Sequence, residues 1–251
     1  MVVFNVDMDN TLIYSYKHDI GEEKRCAEIY QEREISFMTN KTSKLLKELA
    51  RKVLVVPTTT RTRQQYERID LGLGAMPYAL VCNGGVLIKD GVEVEDWYTD
   101  SKALIADCEA ELKQGMELLE KDEDRCFEVQ FIRELFLFSK SNQPEETIKR
   151  LAQQLDTTLV DVFNNGMKVY VVPKRLSKGM AVKRFKEWIQ ADVTIAAGDS
   201  EFDVSMLQCA DVALAPQKLE VGDKTTGELV KIAEHVLFSE GLLEYLVKRY
   251  E

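Results

Sequence analysis

The sequence predicts an α/β protein: a Rossmann-like parallel sheet core, wrapped by helices, with an α+β unit inserted into it. Three observations carry this reading. Residues 2–6, 53–56 and 193–197 are short apolar runs that each lead into small polar or acidic residues, as strands buried on both faces do. Stretches of helical periodicity separate them, and strand alternating with helix indicates parallel strands joined by crossovers. Between residues 100 and 173 the pattern changes to helix–strand–strand, twice over. The expected division is therefore a core of residues 1–99 and 174–251, with an α+β unit of residues 100–173 between its halves.

Taken in order, Val2 to Val6 is the first strand. The segment 13–37 is longer than a minimal connection and carries Tyr14, Tyr16, His18 and Tyr30. It reads as a flap or partial lid, or else as an amphipathic surface helix over 27–34. A helix over 42–52 places Leu45, Leu46 and Leu49 at helical spacing, and the strand 53–56 follows it. Asn83-Gly84-Gly85 is a turn, and Lys89-Asp90-Gly91 marks a hairpin. Within the insert, a helix over 101–121 precedes strands at 127–132 and 135–138. Pro144 opens another helix, and two strands flank Asn164-Asn165-Gly166. The core resumes with a helix over 178–190, whose apolar face is Ala181, Phe185, Trp188 and Ile189. Strands at 193–197 and, more weakly, 212–214 complete it.

Composition narrows the chemistry. The 251 residues are 45% hydrophobic and 30% charged, with 43 acids against 33 bases and a formal charge of −10. Such a chain is poorly suited to non-specific nucleic-acid binding, which depends on neutralising phosphates with cations. No apolar run reaches membrane-spanning length. The five cysteines are scattered without a C-x-x-C pair and, with no export signal, read as reduced, mostly buried thiols of a cytoplasmic protein. His18 and His235 are the only histidines, so a histidine-based zinc site or a Ser-His-Asp triad has almost no raw material. Hard-cation chemistry through carboxylates remains open.

The apolar strands end in Asp7-Met8-Asp9-Asn10-Thr11-Leu12, in Thr58-Thr59-Thr60-Arg61 and in Gly198-Asp199-Ser200-Glu201-Phe202-Asp203, and Ser177-Lys178-Gly179 opens the helix before the last of these strands. Ligands of open parallel sheets bind beyond the carboxyl ends of the strands, so these clusters are expected to converge. Each alone is readable as a capped turn or a solvated charge; together, in this order, they point to one site.

With these residues in view, the chain resembles the haloacid dehalogenase superfamily of phosphatases over nearly its full length. Asp7, Asp9 and Thr11 match its Asp-x-Asp-x-Thr motif, Thr59 its second motif, Lys178 its third, and Asp199 and Asp203 its acidic fourth. An insert between the second and third motifs is similar to the subgroup with a large α+β cap, which includes Cof-type sugar phosphatases, sucrose-phosphate phosphatase and eukaryotic phosphomannomutase. Asn83-Gly84-Gly85 resembles that subgroup's turn after the third strand. Asn10 and Thr60 stand where glycines are usual, and Phe202 where Asn is usual.

The resemblance implies a Mg²⁺-dependent phosphatase acting on a small phosphorylated metabolite, such as a sugar phosphate, through an aspartyl-phosphate. Asp7 is then the nucleophile, and Asp9 the acid and base, expected to lie partly buried beside another carboxylate. Thr59 and Lys178 grip the phosphoryl group. Thr11, Thr60, Arg61, Asn83 and Gly84 are expected on the substrate side. Asp7, Asp199, Asp203 and the Asp9 carbonyl are expected to bind the metal. Substrate choice falls to the cap, where Arg133, Asn164, Asn165 and Lys168 are candidate contacts. A phosphotransferase or mutase, and a silent phosphate-ligand binding protein, are the alternatives; the expected assembly is a monomer or homodimer.

Overall fold

The computed structural model describes residues 1–251. The chain divides into two compact units, Met1–Val94 with Lys178–Glu251, and Glu95–Ser177. These divisions lie a few residues from the positions read off the sequence. The first unit runs β1 (Val2–Val6), β2 (Tyr14–Ser15), β3 (Lys24–Tyr30), β4 (Arg33–Thr39), α1 (Asn40–Leu49), β5 (Leu54–Pro57), α2 (Arg63–Tyr66), β6 (Tyr78–Val81), β7 (Val86–Lys89) and β8 (Val92–Glu93). The second unit holds α3 (Glu95–Leu104), a 3₁₀ turn (Ala106–Cys108), α4 (Glu109–Glu120), β9 (Gln130–Ile132), β10 (Phe136–Lys140), α5 (Pro144–Ala152), β11 (Val160–Asn165) and β12 (Lys168–Pro173). The first unit resumes with α6 (Lys178–Ile189), β13 (Val193–Ala197), α7 (Glu201–Cys209), β14 (Val212–Pro216), β15 (Glu228–Ile232) and α8 (Phe238–Arg249).

The heart of the first unit is a five-stranded sheet in the order β15-β14-β13-β1-β5, parallel throughout. Its inner strands are Val- and Ala-rich because both faces are covered. On one side Phe4 and Val6 pack with Leu46 and Leu49 of α1 and Leu242, Leu243 and Leu246 of α8. Burying Phe4 completely contributes about 2–3 kcal/mol. On the other side Ala196 and Ala213 pack with Val182 of α6 and Met206 and Leu207 of α7. Asn5 breaks the apolar pattern of β1: it is fully buried, and neither amide atom has a hydrogen-bond partner within the chain.

Register does more for the site than any single contact. Val6 lies opposite both Ala197 of β13 and Pro57 of β5. The three strands therefore end level, and Asp7, Gly198 and Thr58 emerge side by side. The ladder continues one step further, with Asp7 N donating to Ala197 O at 2.9 Å and Thr58 N to Val6 O at 2.8 Å.

Several expectations change. The segment 13–37 is not a surface helix. Its strands β2, β4 and β3 form an antiparallel sheet that buries Ala27 and Met38 in the main core. Cys26 to Tyr30 pairs with β4 through a bulge near Glu28, and this pairing and the packing of Ala27 favour the strand. The expected apolar face of α6 is shifted too: Ala181, Val182 and Phe185 are buried, whereas Trp188 is largely exposed and packs edge-on against Tyr78. Of the five free cysteines only Cys82 and Cys108 are buried, and Cys126 is exposed.

In the second unit a four-stranded antiparallel sheet, β11-β12-β10-β9, packs against α4 and α5. The helix expected over 101–121 is two helices, α3 and α4, broken where Ile105 and Cys108 turn inward to full burial. The strand expected over 127–132 shortens to Gln130–Ile132. Asn164-Asn165-Gly166 makes the β11–β12 hairpin, with Gly166 at φ +57°. Phe127, Phe138, Tyr170 and Phe163 form a row of rings with successive centroids 5.4–5.7 Å apart.

Candidate active site

The site lies within the first unit and begins where β1 ends. Asp7 is almost wholly buried. The chain then turns tightly, with the amides of Leu12 and Ile13 donating to Met8 O and Asn10 N to Ile13 O. That turn puts Asn10 at φ +57°, a conformation Asn tolerates better than most residues, which accounts for Asn in a glycine position. Inside the turn, Thr11 Oγ1 donates to Asp7 Oδ2 at 3.3 Å and to Asp199 Oδ1 at 3.4 Å.

Lys178, the first residue of α6, reaches the same point while fully buried. Its ammonium donates to Asp7 Oδ1 at 2.5 Å and to Asp203 Oδ1 at 2.6 Å. The helix that carries it packs tightly on α7: a Cβ on Gly179 would lie 2.3 Å from Ser205 O. Glycine at 198 is likewise required, because a Cβ there would lie 2.3 Å from the Asp203 side chain. Asp203 Oδ2 accepts from Asp199 N, Ser200 N and Ser200 Oγ at 2.9–3.1 Å. Both Asp203 oxygens are thus engaged, one by Lys178 and the other by the start of α7. Ser200, which gives Asp203 two of these bonds, was not singled out from the sequence.

Asp7, Asp199 and Asp203 each place a carboxylate oxygen within 4.8 Å of the others. Against three carboxylates stands one ammonium, Lys178, so two negative charges are left over if all are ionised. The strain is visible in their acidities. Burial pushes the Asp7 carboxyl well above the usual range; Lys178 opposes this, and Asp203, Asp9 and Asp199 add to it. Asp199 is raised to about 6, first by burial and then by Asp203. Burial works against the charge on Lys178, but Asp203 and Asp7 outweigh it and hold the ammonium above its ordinary range. A divalent hard cation would balance the excess, and the donors are all carboxylate oxygen. Asp203 has both oxygens engaged, Oδ2 by three donors, whereas Asp7 Oδ2 and Asp199 Oδ1 each accept only from Thr11. The residues fit such an ion.

The second half of the site forms where β5 and β6 end. Thr59 is fully buried; its amide donates to Leu80 O, and its Oγ1 accepts from Arg61 N at 3.1 Å. The turn at Cys82-Asn83-Gly84 takes φ values of +52°, +58° and +84°. It is tied to this segment by Cys82 N donating to Arg61 O and Asn83 N to Thr59 O. Thr60 is only partly buried. Arg61 faces Asp9: its Nε and Nη2 donate to the two Asp9 oxygens at 2.7 Å each. Asp9 is partly buried and its charge acts on Asp7, as expected, but the group that holds its carboxylate is a guanidinium. Its side chain is 47% exposed and clasped by a guanidinium, because Arg61 is long enough to cross from β5 to the turn after β1.

Of the candidate contacts of the second unit, Arg133 sits in a turn, and Asn164, Asn165 and Lys168 sit at the strand ends that flank one. Arg133 stacks on Tyr98 at 4.8 Å, Asn164 donates to Gly166 O, and Asn165 and Lys168 are exposed.

The profile of the haloacid dehalogenase-like hydrolases matches residues 92–218, half of the chain and the part that carries Lys178, Asp199 and Asp203. The chain is 26% identical over 212 residues to a phosphoglycolate phosphatase of Methanopyrus kandleri, covering 82% of this chain and 87% of that one. Among solved structures it is similar to the sucrose-phosphatase of Synechocystis sp. PCC6803 in complex with sucrose and phosphate, with a TM-score of 0.66, 14% identity and coverage of 99% and 97%. It is also similar to a subclass IIB sugar phosphatase of the haloacid dehalogenase superfamily, with a TM-score of 0.58, 14% identity and 99% of each chain covered. The level strand ends and the matched profile lead to one conclusion: the chain belongs to the haloacid dehalogenase-like hydrolases and is an enzyme of that family.

Proposed function

We propose that this enzyme, a phosphatase, hydrolyses a small phosphate monoester, a sugar phosphate or related metabolite, by passing the phosphoryl group through Asp7. The observation that carries the reading is the Lys178 ammonium held between Asp7 and Asp203, with Asp199 and Thr11 beside them. A phosphate dianion repels an attacking carboxylate, so a site for this chemistry must surround its nucleophile with positive charge and donors. Lys178 supplies part of it.

Asp7, Asp199 and the Asp9 carbonyl would hold Mg²⁺, with Asp203 adding its charge nearby. When bound, the ion neutralises charge on the transferring phosphoryl oxygens. Asp7 Oδ then attacks phosphorus in line, the bond to the ester oxygen breaks, and an aspartyl-phosphate forms. Asp9 gives its proton to the departing oxygen and later takes one from the water that hydrolyses the intermediate. In the resting geometry both Asp9 oxygens accept from Arg61, so Asp9 is posed as the base; to act as acid it must arrive protonated and let go of one N–H. Thr59, Thr11 and the Asn83-Gly84 turn are assigned to the phosphoryl oxygens and their surroundings.

Selectivity is assigned to the second unit, whose row of Phe127, Phe138, Tyr170 and Phe163 offers an apolar face for a ring. The class of substrate draws on the phosphoglycolate and sucrose phosphatases named above. No helix of the chain is long and apolar enough to cross a membrane; with five free cysteines, a reducing cytoplasm is the proposed working environment. A panel of phosphorylated metabolites, scored by phosphate release with Mg²⁺ and again in excess EDTA, tests the reading. Release that stops in EDTA and returns with Mg²⁺ is expected; full release in EDTA contradicts the metal assignment, and no release from any ester contradicts the phosphatase.

A further inference from the structure

Glu28 lies on β3, in a segment that belongs to none of the matched motifs, yet its side chain is completely buried. A buried carboxylate is costly unless it is paired and hydrogen-bonded, and here both oxygens are engaged. Glu28 Oε2 accepts from Ser36 Oγ at 2.9 Å, and Oε1 accepts from Arg61 Nη1 at 2.9 Å and Arg68 Nε at 3.0 Å. The Arg61 guanidinium is thereby pinned at one end. Its other edge, Nε and Nη2, is left in the orientation that meets both oxygens of Asp9. One planar fork thus joins a buried acid to a half-exposed one, and rotating it to suit one partner would break its bonds to the other.

We propose that Glu28 is a positioning residue that acts on Asp9 through Arg61. This rests on the acid–base role proposed for Asp9. The anchor matters most when Asp9 releases the fork to meet the leaving oxygen: Arg61, held by Glu28, stays in place and defines the position from which Asp9 moves. Without the anchor, Arg61 follows Asp9 or swings towards solvent, and the carboxyl loses its fixed approach to the leaving oxygen. Misplacement of a reacting group by about 1 Å can cost on the order of 10²-fold in rate.

The test compares kcat/KM for an alkyl phosphate and for 4-nitrophenyl phosphate in the Mg²⁺-loaded enzyme. This quantity reports steps up to departure of the alcohol, and the ratio of the two values does not depend on how much enzyme is folded. The alkyl ester needs the proton from Asp9; the nitrophenolate hardly does. Glu28→Gln is expected to lower the alkyl value roughly 10- to 100-fold and the aryl value far less, as Asp9→Asn does to a greater degree. Arg68→Gln, which disturbs the same cluster without releasing Arg61, is expected to leave the ratio unchanged. If Glu28→Gln does not fold, Glu28→Asp, which withdraws the carboxylate from Arg61, shifts the ratio in the same direction. A normal ratio in folded Glu28 variants, beside a shifted ratio in Asp9→Asn, overturns the inference and leaves the proposed function standing. An equal shift in Arg68→Gln overturns it as well. A normal ratio in Asp9→Asn overturns the role of Asp9 itself, and this inference with it.

Discussion

Lys178 donates to Asp7 from 2.5 Å, and both side chains are almost wholly buried. The ammonium is also the cationic partner of Asp203. Removing it strands two buried carboxylates, so Lys178→Met is expected to cost about 3–5 kcal/mol of stability at neutral pH. The sign with pH follows from Asp7, which burial already holds above its unfolded value. A carboxyl with a raised folded pKa is favoured protonated in the native state, so the variant regains stability as pH falls towards about 4. Urea unfolding at a series of pH values checks both parts.

Metal should reveal itself thermally as well as catalytically. Asp199, raised to about 6, destabilises the metal-free fold above that pH, and a divalent cation relieves the repulsion. Mg²⁺ is therefore expected to raise the melting temperature at pH 7.5. The increment should shrink as pH falls through about 6, because protons then compete for Asp199. Thermal scans with and without Mg²⁺ at both pH values measure this; an increment that grows in acid contradicts the assignment.

Asn5 makes a prediction about the fold alone. Its buried amide has no partner within the chain, and leaving such a group unsatisfied costs about 1–3 kcal/mol. Asn5→Val keeps a strand-favouring residue and removes the polar atoms, so unfolding free energy is expected to rise by about 1 kcal/mol. A fall measured in urea would show that the amide finds a partner in solution.

How much of this was legible in the sequence follows from where each residue sits. Asp7, Asp9, Lys178, Asp199 and Asp203 stand at strand ends or at helix starts, where pattern and spacing speak directly. Even there the sequence did not reveal that Asp203 spends both oxygens on Lys178 and the start of α7, or that Asp9 faces Arg61. Glu28 was invisible: an acid in a segment that reads as a flap or as an amphipathic surface helix gives no sign of burial, and only its pairing with Arg61 and Arg68 reveals it. The strand β15 and helix α8 were not read at all, although Leu242, Leu243 and Leu246 carry helical spacing. The inserted unit was legible as helix and strand but not in its detail, since nothing local announces the break at Ile105.

Selectivity should separate from turnover. Phe163 stacks on Tyr170 at 5.5 Å and is only partly buried, so Phe163→Ala leaves the sheet intact. It is expected to raise KM several-fold for a preferred metabolite while sparing 4-nitrophenyl phosphate. Steady-state kinetics on both substrates checks this, and equal losses for the two would show that the second unit serves turnover itself.

The central claim is that the phosphoryl group travels through Asp7, and Asp9→Asn with 4-nitrophenyl phosphate tests it most directly. The good leaving group departs without its proton, while hydrolysis of the intermediate lacks its base, so phosphorylated enzyme accumulates. Acid quench followed by peptide mass spectrometry is expected to show one added phosphoryl group on the peptide that contains Asp7. Asp7→Asn is expected to show neither label nor turnover. A label on any other residue, or near-normal turnover by Asp7→Asn, contradicts the account.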